Sequence, residues 1–227
     1  MQRLRDRTSA GSVAQKPAAR GKTNGKKQAP ALERYVALLR GINVGGNNLV
    51  KMADLRAAFE SMGFGDVATY IQSGNVVFSS KRANRTRLVA GIENALRATF
   101  GCGAPVAVIS AAELALVVDR APAGFGTQPD RYRYDVLFVM PPTSPASALA
   151  QLSIKPGVDS AHAGQHAVYF RRLISKATQS HLTKLVQLPL YKSVTVRNWN
   201  TTTRLLDLVS REPAAEPPRA GTPRRRP

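Results

Sequence analysis

The sequence predicts an α+β fold made of two similar halves with antiparallel sheets, and three observations support this. Short continuous apolar runs, such as YVALL at residues 35–39, are typical of buried strands. They alternate with stretches in which apolar residues recur every three or four positions, as in amphipathic helices. The order of these elements before residue 120 is then partly repeated after it.

The first half contains six elements that follow one another in the order β-α-β-β-α-β. The predicted elements are a strand at 35–39, a helix at 52–62, strands at 67–71 and 76–79, a helix at 88–100 and a strand at 105–109. Ser73-Gly74-Asn75 supplies the tight turn between the second and third strands. Gly63 and Gly101 end the two helices. This order is the split βαβ arrangement of the ferredoxin-like plait, and a capping box at 110–113 then opens a short helix through Val118.

The second half repeats the order of elements but not the residues. A connector rich in glycine and proline, at 121–129, leads into it. The predicted elements are a strand at 134–140, a weak helix at 146–152, a hairpin around Gly164 leading to a strand at 167–171, a helix marked by Leu182, Leu185 and Val186, a strand at 193–197 and a terminal helix. We therefore predict tandem ferredoxin-like halves at 35–120 and 121–210, with tails at 1–34 and 211–227.

Positive charge is concentrated in the two tails. The chain has 33 Lys and Arg residues against 14 Asp and Glu, a net charge of +19. Nine basic and two acidic residues lie in 1–34, and five basic and two acidic residues lie in 211–227, so more than half of the excess is there. The tails are poor in large apolar residues, and we expect both to be disordered. They are either solvated extensions or sites of weak, nonspecific nucleic-acid binding through phosphate contacts.

Composition also limits the setting in which the protein works. No apolar run approaches the length of a membrane span, and no secretory signal is recognisable, so we expect a cytoplasmic protein with no membrane partner. The single cysteine, Cys102, excludes an intramolecular disulfide. His162, His166 and His181 do not have metal-ligand spacing, and we expect no metal and no cofactor.

The glycine-rich loop RGINVGGNN at 40–48 is the strongest candidate for a binding site. Its glycines have the spacing of the phosphate-binding pattern GxxxxGK[ST], but Asn47 and Asn48 replace the lysine and the hydroxyl residue. Nucleotide hydrolysis by that mechanism is therefore not expected. What remains is a loop whose backbone N–H groups can face an anion, with Arg40 at the end of the strand.

Plait topology places this loop beside the turn at 72–75. The third strand lies next to the first, so Asn75 is expected to begin near the point where Arg40 ends the first strand. The candidate ligand-binding residues are Arg40, Gly41, Asn43, Gly45, Gly46, Asn47, Asn48, Gln72, Ser73 and Asn75. These side chains suit recognition of a polar ligand, and equally they suit a structural brace that satisfies buried backbone groups. The sequence leaves both interpretations open.

Two other segments carry weaker signals. Arg197-Asn198-Trp199-Asn200 ends the last strand, where Arg197 and Trp199 would contact an anion and a base, or Asn200 would cap the last helix and Trp199 would pack in the core. Alternating cations and aromatics at 131–134 either mark a nucleic-acid surface or simply lead into a strand. No catalytic triad, dyad or metal cluster is apparent, so whether the protein is an enzyme stays open, as does its oligomeric state.

Four strings occur together in a fixed order: RGINVGGNNLVKMADLR at 40–56, TYIQSGNVVF at 69–78, DVLFVM at 135–140 and RNWNTTTRL at 197–205. In this combination the chain resembles the bacterial family known as domain of unknown function 1697, over residues 35–210. The resemblance implies tandem plait-like halves in a cytoplasmic bacterial protein. It implies no activity, because the family has no established reaction or catalytic residues. Relatives often carry a basic residue where this chain has Asn47, which weakens the phosphate interpretation.

If the tails bind nucleic acid, deleting residues 1–30 and 212–227 should strongly weaken the gel shift of a duplex at low salt, because +9 of the net charge of +19 is removed. Binding by the full chain should also weaken steeply as salt is raised. An unchanged gel shift after the deletion would assign the binding to residues 35–210 instead.

Overall fold

A computed structural model of the chain describes residues 32–43, 49–101 and 103–211. The first half consists of β1 (Leu32–Leu39), α1 (Met52–Ser61), β2 (Gly65–Tyr70), β3 (Asn75–Lys81), α2 (Arg85–Phe100), β4 (Val106–Ser110) and α3 (Ala111–Asp119). The second half consists of β5 (Tyr132–Val139), α4 (Pro145–Gln151), β6 (Asp159–Ala163), β7 (Ala167–Leu173), β8 (Val194–Asn198) and α5 (Trp199–Ser210). Three short 3₁₀ segments connect β7 to β8.

Both halves contain a four-stranded antiparallel sheet with the same strand order. The orders are β2-β3-β1-β4 in the first sheet and β6-β7-β5-β8 in the second. The predicted fold class, an α+β protein of tandem ferredoxin-like halves with antiparallel sheets, is confirmed.

The pairing registers of the two sheets correspond residue by residue. Leu38 lies opposite Asn75 and Ala107 in the first sheet, and Phe138 lies opposite Ala167 and Thr195 in the second. The same correspondence pairs Ser110 with Asn198, and each of these residues accepts a hydrogen bond that caps the helix after its strand. The repeat is therefore real at the level of backbone geometry, although few side chains show it.

The two sheets share a helical layer between them. On the outer face of the first sheet, α1 and α2 pack through Phe59 and Ile92. On its other face, α3 and α5 fill the space between the sheets and contact strands of both. Both faces of the first sheet are therefore covered by helices. The continuous apolar runs are the physical reason, since alternate residues of β1 must be buried on opposite sides.

The shared layer is one contiguous core. Val36 and Val77 of the first sheet, Leu205 of α5, and Val136 and Phe138 of the second sheet are all buried there. Each such side chain contributes about 1.5–3 kcal/mol when it is fully removed from water. Neither sheet would be shielded on this face without the rest of the layer.

The helix predicted around Leu182, Leu185 and Val186 is the main error of secondary structure. The chain there forms 3₁₀ segments at Ile174–Gln179, His181–Gln187 and Pro189–Ser193, in the position that α2 occupies in the first half. Ser180 and Leu188 have extended backbone conformations and interrupt the segments. Leu188 precedes Pro189, and the helical conformation is disfavoured for a residue before proline. Val186 is 60% exposed, so Leu182, Leu185 and Val186 do not form the buried face of one helix, as their spacing predicts.

The other predicted helices and strands begin and end within a few residues of the observed ones. β1 begins at Leu32, because Glu33 and Arg34 continue the pairing with β3 despite their polarity. The expected disorder of the tails concerns residues that, apart from 32–34 and 211, lie outside the described part of the chain.

The cap of α5 provides a test of this local structure. The side chain of Asn198 accepts a 2.7 Å hydrogen bond from the N–H of Thr201. Asn198→Ala should lower the free energy of unfolding by about 1 kcal/mol, measured by urea denaturation. Asn200→Ala is the matched control on the same helix, since that side chain is exposed, and it should change stability by less than about 0.5 kcal/mol. Equal losses in the two variants would contradict the assignment.

Candidate functional site

The end of β1 and the turn between β2 and β3 lie side by side, as the plait topology predicts. Leu38 is opposite Asn75 in the sheet, and the N–H of Leu39 donates to the carbonyl oxygen of Gly74 at 2.8 Å. Gly74 has a φ of +74°, and a Cβ there would lie 2.7 Å from the Cδ1 atom of Ile42. Both its conformation and its close packing therefore require glycine at the centre of this contact.

Asn43 fastens the glycine-rich loop to that turn. Its Nδ2 atom donates to the carbonyl oxygens of Val50 at 3.0 Å and Gln72 at 2.9 Å, and its Oδ1 atom accepts from the N–H of Val50 at 2.7 Å. Asn43 thus joins the two ends of the loop and ties both to the neighbouring hairpin. The candidates Gly45, Gly46, Asn47 and Asn48 lie outside the described residues.

Asn75 is fully buried, and its side chain is used within the protein. Its Nδ2 atom donates to the carbonyl oxygen of Tyr70 and to the Oγ atom of Ser73, both at 3.0 Å. Its Oδ1 atom accepts from the Nε atom of Arg197. Of the two interpretations that the sequence left open, the hydrogen bonds of Asn43 and Asn75 therefore fit the structural brace.

Arg197 brings the second half into the same site. It is only 8% exposed, and all three of its nitrogens donate hydrogen bonds. The acceptors are the side chains of Asn75 and Thr195 and the carbonyl oxygens of Leu39, Ser73, Gly74 and Val196. One guanidinium group therefore joins β8 to the end of β1 and to the turn before β3.

The charge of Arg197 is not neutralised by any described carboxylate. Every acceptor of its hydrogen bonds is an amide, hydroxyl or carbonyl oxygen, and it forms no salt bridge within the described residues. Burial lowers the pKa of the guanidinium to about 10, so it still carries its charge at neutral pH. A buried positive charge is consequently held at this edge by dipoles alone.

Arg40 is a second cation at this edge, and it follows directly after Leu39, whose carbonyl oxygen accepts from Arg197. It is half-buried, its Nη1 atom donates to the carbonyl oxygen of Tyr191, and its guanidinium lies 5.0 Å from the centre of the Tyr191 ring. Such a position over an aromatic face stabilises a cation. Among the described residues, no carboxylate pairs with Arg40 either.

The exposed groups at this edge are Gly41, Gln72 and Ser73. The structure therefore brings together the candidates on either side of the undescribed loop segment, with buried braces beneath and exposed polar groups above. The arrangement can offer hydrogen bonds and positive potential to a ligand. Among the candidates it contains no carboxylate or imidazole that would act as an acid or base.

The secondary candidates separate into different roles. Arg197 belongs to the edge just described, whereas Asn198 caps α5. The proposal of Asn200 as the cap was wrong by two residues, because the helix begins at Trp199. Trp199 packs at 89° against the ring of Phe125, with centroids 5.1 Å apart, as the core interpretation expected.

The alternating cations and aromatics at 131–134 do not form a stacking platform. The guanidinium groups of Arg131 and Arg171 lie 5.2 and 4.5 Å from the centre of the Tyr132 ring. Tyr134 packs against Phe125 in the interior. This segment instead leads into a strand, the second of the two interpretations, because β5 begins at Tyr132.

Tyr191 and Thr195 were missed by the sequence analysis. Tyr191 lies in the 3₁₀ region where the periodicity was misleading, so nothing in the sequence indicated its contact with Arg40. Thr195 had a weak signal: it lies two residues before Arg197 in a strand, and so on the same face.

The part of the chain that the structure describes holds no group of three His, Cys, Asp or Glu side chains arranged for a metal ion. His166 lies 3.9 Å from Glu113, and His181 is hydrogen-bonded to Ser153, so the histidines are dispersed. Within the same residues, no helix combines the length and apolar character needed to cross a membrane.

The fold and its edge define a two-plait α+β protein with a braced, cationic sheet edge. Residues 32–169 match the family described as "Protein of unknown function (DUF1697)", and because this is more than half of the chain, the protein belongs to that family. The match contains three of the four strings that carried the resemblance, and RNWNTTTRL lies beyond it.

A solved structure has the same fold. It is that of the conserved bacterial protein SP0830 from Streptococcus pneumoniae, to which this chain is similar with a TM-score of 0.69 and 27% sequence identity. The alignment covers 79% of this chain and 99% of that one. No curated protein gave a match to the sequence.

Replacing Arg197 tests its role as the brace between the halves. Arg197→Met keeps much of the side-chain volume but leaves its buried acceptors without a donor. The free energy of unfolding, measured in urea, should fall by at least about 2 kcal/mol. Arg197→Lys, which keeps the charge with fewer donors, should lose less.

The matched control is Arg204→Met on α5, because that side chain is 43% exposed and its nearest ion-pair contact is 3.8 Å. It should change stability by less than about 0.5 kcal/mol. A stability loss no larger at Arg197 than at Arg204 would show that the network is not a brace.

Proposed function

We propose that this protein binds a small anionic ligand, phosphate-bearing or nucleotide-like, at the edge formed by Arg40, Gly41, Asn43 and the turn at 72–75. One observation carries the proposal: Arg40 and Arg197 meet this edge from the two halves, and no described carboxylate neutralises either. A cationic edge of low exposure attracts anions more strongly than exposed surface cations do, since it is less screened by water.

The two arginines would act differently. All three nitrogens of Arg197 already donate to protein atoms, so it supplies potential and not direct contacts. Arg40 uses only Nη1 within the described residues, which leaves further N–H groups for an anion. Charge-assisted hydrogen bonds from a guanidinium to phosphate oxygens are short, strong and directional.

The polar groups around Arg40 suit the rest of such a ligand. Gln72 and Ser73 are exposed at the turn, and Gly41 has a φ of +76° that orients the backbone as in anion-binding loops. Asn43 holds Val50 close to the end of β1 through two hydrogen bonds, which fixes the positions of the residues that flank the segment at 44–48. The candidates at 45–48 remain part of this proposal, as the continuation of the same loop.

Isothermal titration with inorganic phosphate, pyrophosphate, AMP and ATP would test the proposal. We expect at least one of these anions to bind, and Arg40→Ala to weaken that binding by roughly 10–100-fold, the loss typical of one charge-assisted contact. Affinity should also decline with added salt.

Arg87→Ala is the matched control, since it removes an exposed arginine on α2 away from this edge and should leave affinity unchanged. Absence of binding by all four anions would refute the proposal. Equal affinity of the Arg40→Ala and Arg87→Ala variants would place the anion elsewhere.

A further inference from the structure

A cleft of about 550 Å³ runs along the outer edge of β4, on the far side of that strand from β1. One wall is α2, with Val89 and Ala90, and the other is formed by the second half, with Phe138 and Met140. Its volume is that of a small-molecule site, which is usually about 300–1,000 Å³.

The pairing register shows which backbone groups of β4 point into this cleft. The N–H of Arg40 donates to the carbonyl oxygen of Pro105, and directly opposed residues of an antiparallel pair exchange bonds at every second position. Ala107 and Ile109 therefore bond to β1, whereas the N–H and C=O groups of Val106 and Val108 point away from it.

Carboxylates already occupy the outward N–H groups at both ends of the strand. Glu93 accepts from the N–H of Val106 at 2.9 Å, and Glu113 accepts from the N–H of Ser110 at 3.0 Å. Three outward groups remain without a described partner: the carbonyl oxygen of Val106, then the N–H and the carbonyl oxygen of Val108. In order, they form an acceptor, a donor and an acceptor.

This pattern is too short for an added peptide strand. Strand addition uses a row of outward N–H and C=O groups along the edge, and Glu93 and Glu113 close that row at each end. A small ligand needs only the central groups. It must offer a donor next to an acceptor on one edge, and it must be flat enough to lie between the apolar walls of α2 and the second half.

We infer that this cleft binds an amino-bearing nucleobase, of the adenine or cytosine type. The exocyclic amino group donates to the carbonyl oxygen of Val106, and the adjacent ring nitrogen accepts from the N–H of Val108. The faces of the ring contact Val89 on one side and Met140 on the other, and both side chains line the cleft and are only partly buried. Reading a base by its hydrogen-bonding edge, with apolar contacts on its faces, is how extruded bases are recognised.

The inference goes beyond the proposed anion site and does not depend on it, because the base contacts use neither Arg40 nor the loop at 40–48. Uncharged nucleosides separate the two. Adenosine and cytidine, titrated by calorimetry, should bind, whereas purine riboside, which lacks the exocyclic amino group, should bind roughly 10-fold more weakly than adenosine or not at all. Purine riboside keeps the ring nitrogen that accepts from the N–H of Val108 and loses only the donor to the carbonyl oxygen of Val106.

A variant that fills the cleft locates the binding. Ala90 is exposed on α2 and lines the cleft, so Ala90→Phe should abolish adenosine binding without disturbing the core. Ala98→Phe adds the same ring to an exposed position of the same helix that does not line the cleft, and it should bind as the wild type does. Arg40→Ala should also leave adenosine binding unchanged.

Three outcomes would overturn the inference: no binding of adenosine or cytidine by the wild type, no preference for adenosine over purine riboside, or equal binding by the Ala90→Phe and Ala98→Phe variants. Failure of the anion titration with retained adenosine binding would overturn only the proposed function. Failure of adenosine with retained, Arg40-dependent phosphate binding would overturn only the base site.

Discussion

The guanidinium group of Arg197 is the interaction on which the geometry of the candidate edge depends. It extends from the second half into the first, where its hydrogen bonds hold the end of β1, the turn before β3 and the side chain of Asn75 in one arrangement. A buried cation that pairs with none of the described carboxylates is costly, and here the cost is offset because every nitrogen donates to an oriented dipole. Because those dipoles belong to both halves, a shift of one half relative to the other would leave the charge poorly solvated.

The position of Arg197 is unusual when the two halves are compared. Register places it where the first half has Ile109, a residue that faces the shared core and is nearly inaccessible. An apolar residue is the expected occupant of such a position. The second half carries a cation there because its strand ends against the turn of the first half, where Arg197 donates to the carbonyl oxygens of Leu39, Ser73 and Gly74. Equivalent backbone positions thus differ in polarity because Ile109 faces apolar side chains of the shared core, whereas Arg197 faces the backbone oxygens of a turn.

Much of the fold could be predicted from the sequence, because the strands are buried on both faces and appear as uninterrupted apolar runs. The meeting of Arg40 with the turn at 72–75 also followed from topology alone. Arg197 was noticed as a charge at a strand end, but the acceptors that surround it are mostly backbone carbonyls, which no sequence pattern reports. The helix prediction for the 3₁₀ region failed for a related reason. Its leucines recur with helical spacing, yet Ser180 and the Leu188-Pro189 step divide the region into separate turns. The distinction between brace and ligand site depends on which hydrogen bonds are already made, and only coordinates supply that.

The helical layer between the sheets makes the tandem arrangement equivalent to a covalent dimer. A lone half would present α3 and the inner face of its sheet to water, an apolar surface that in an independent chain would require a second copy. Joining the copies through residues 120–131 removes any dependence of this association on concentration. It also removes the symmetry that a true homodimer would impose on its interface. Each copy is then free to differ where the two meet, and an edge built from one arginine of each half becomes accessible to a single chain.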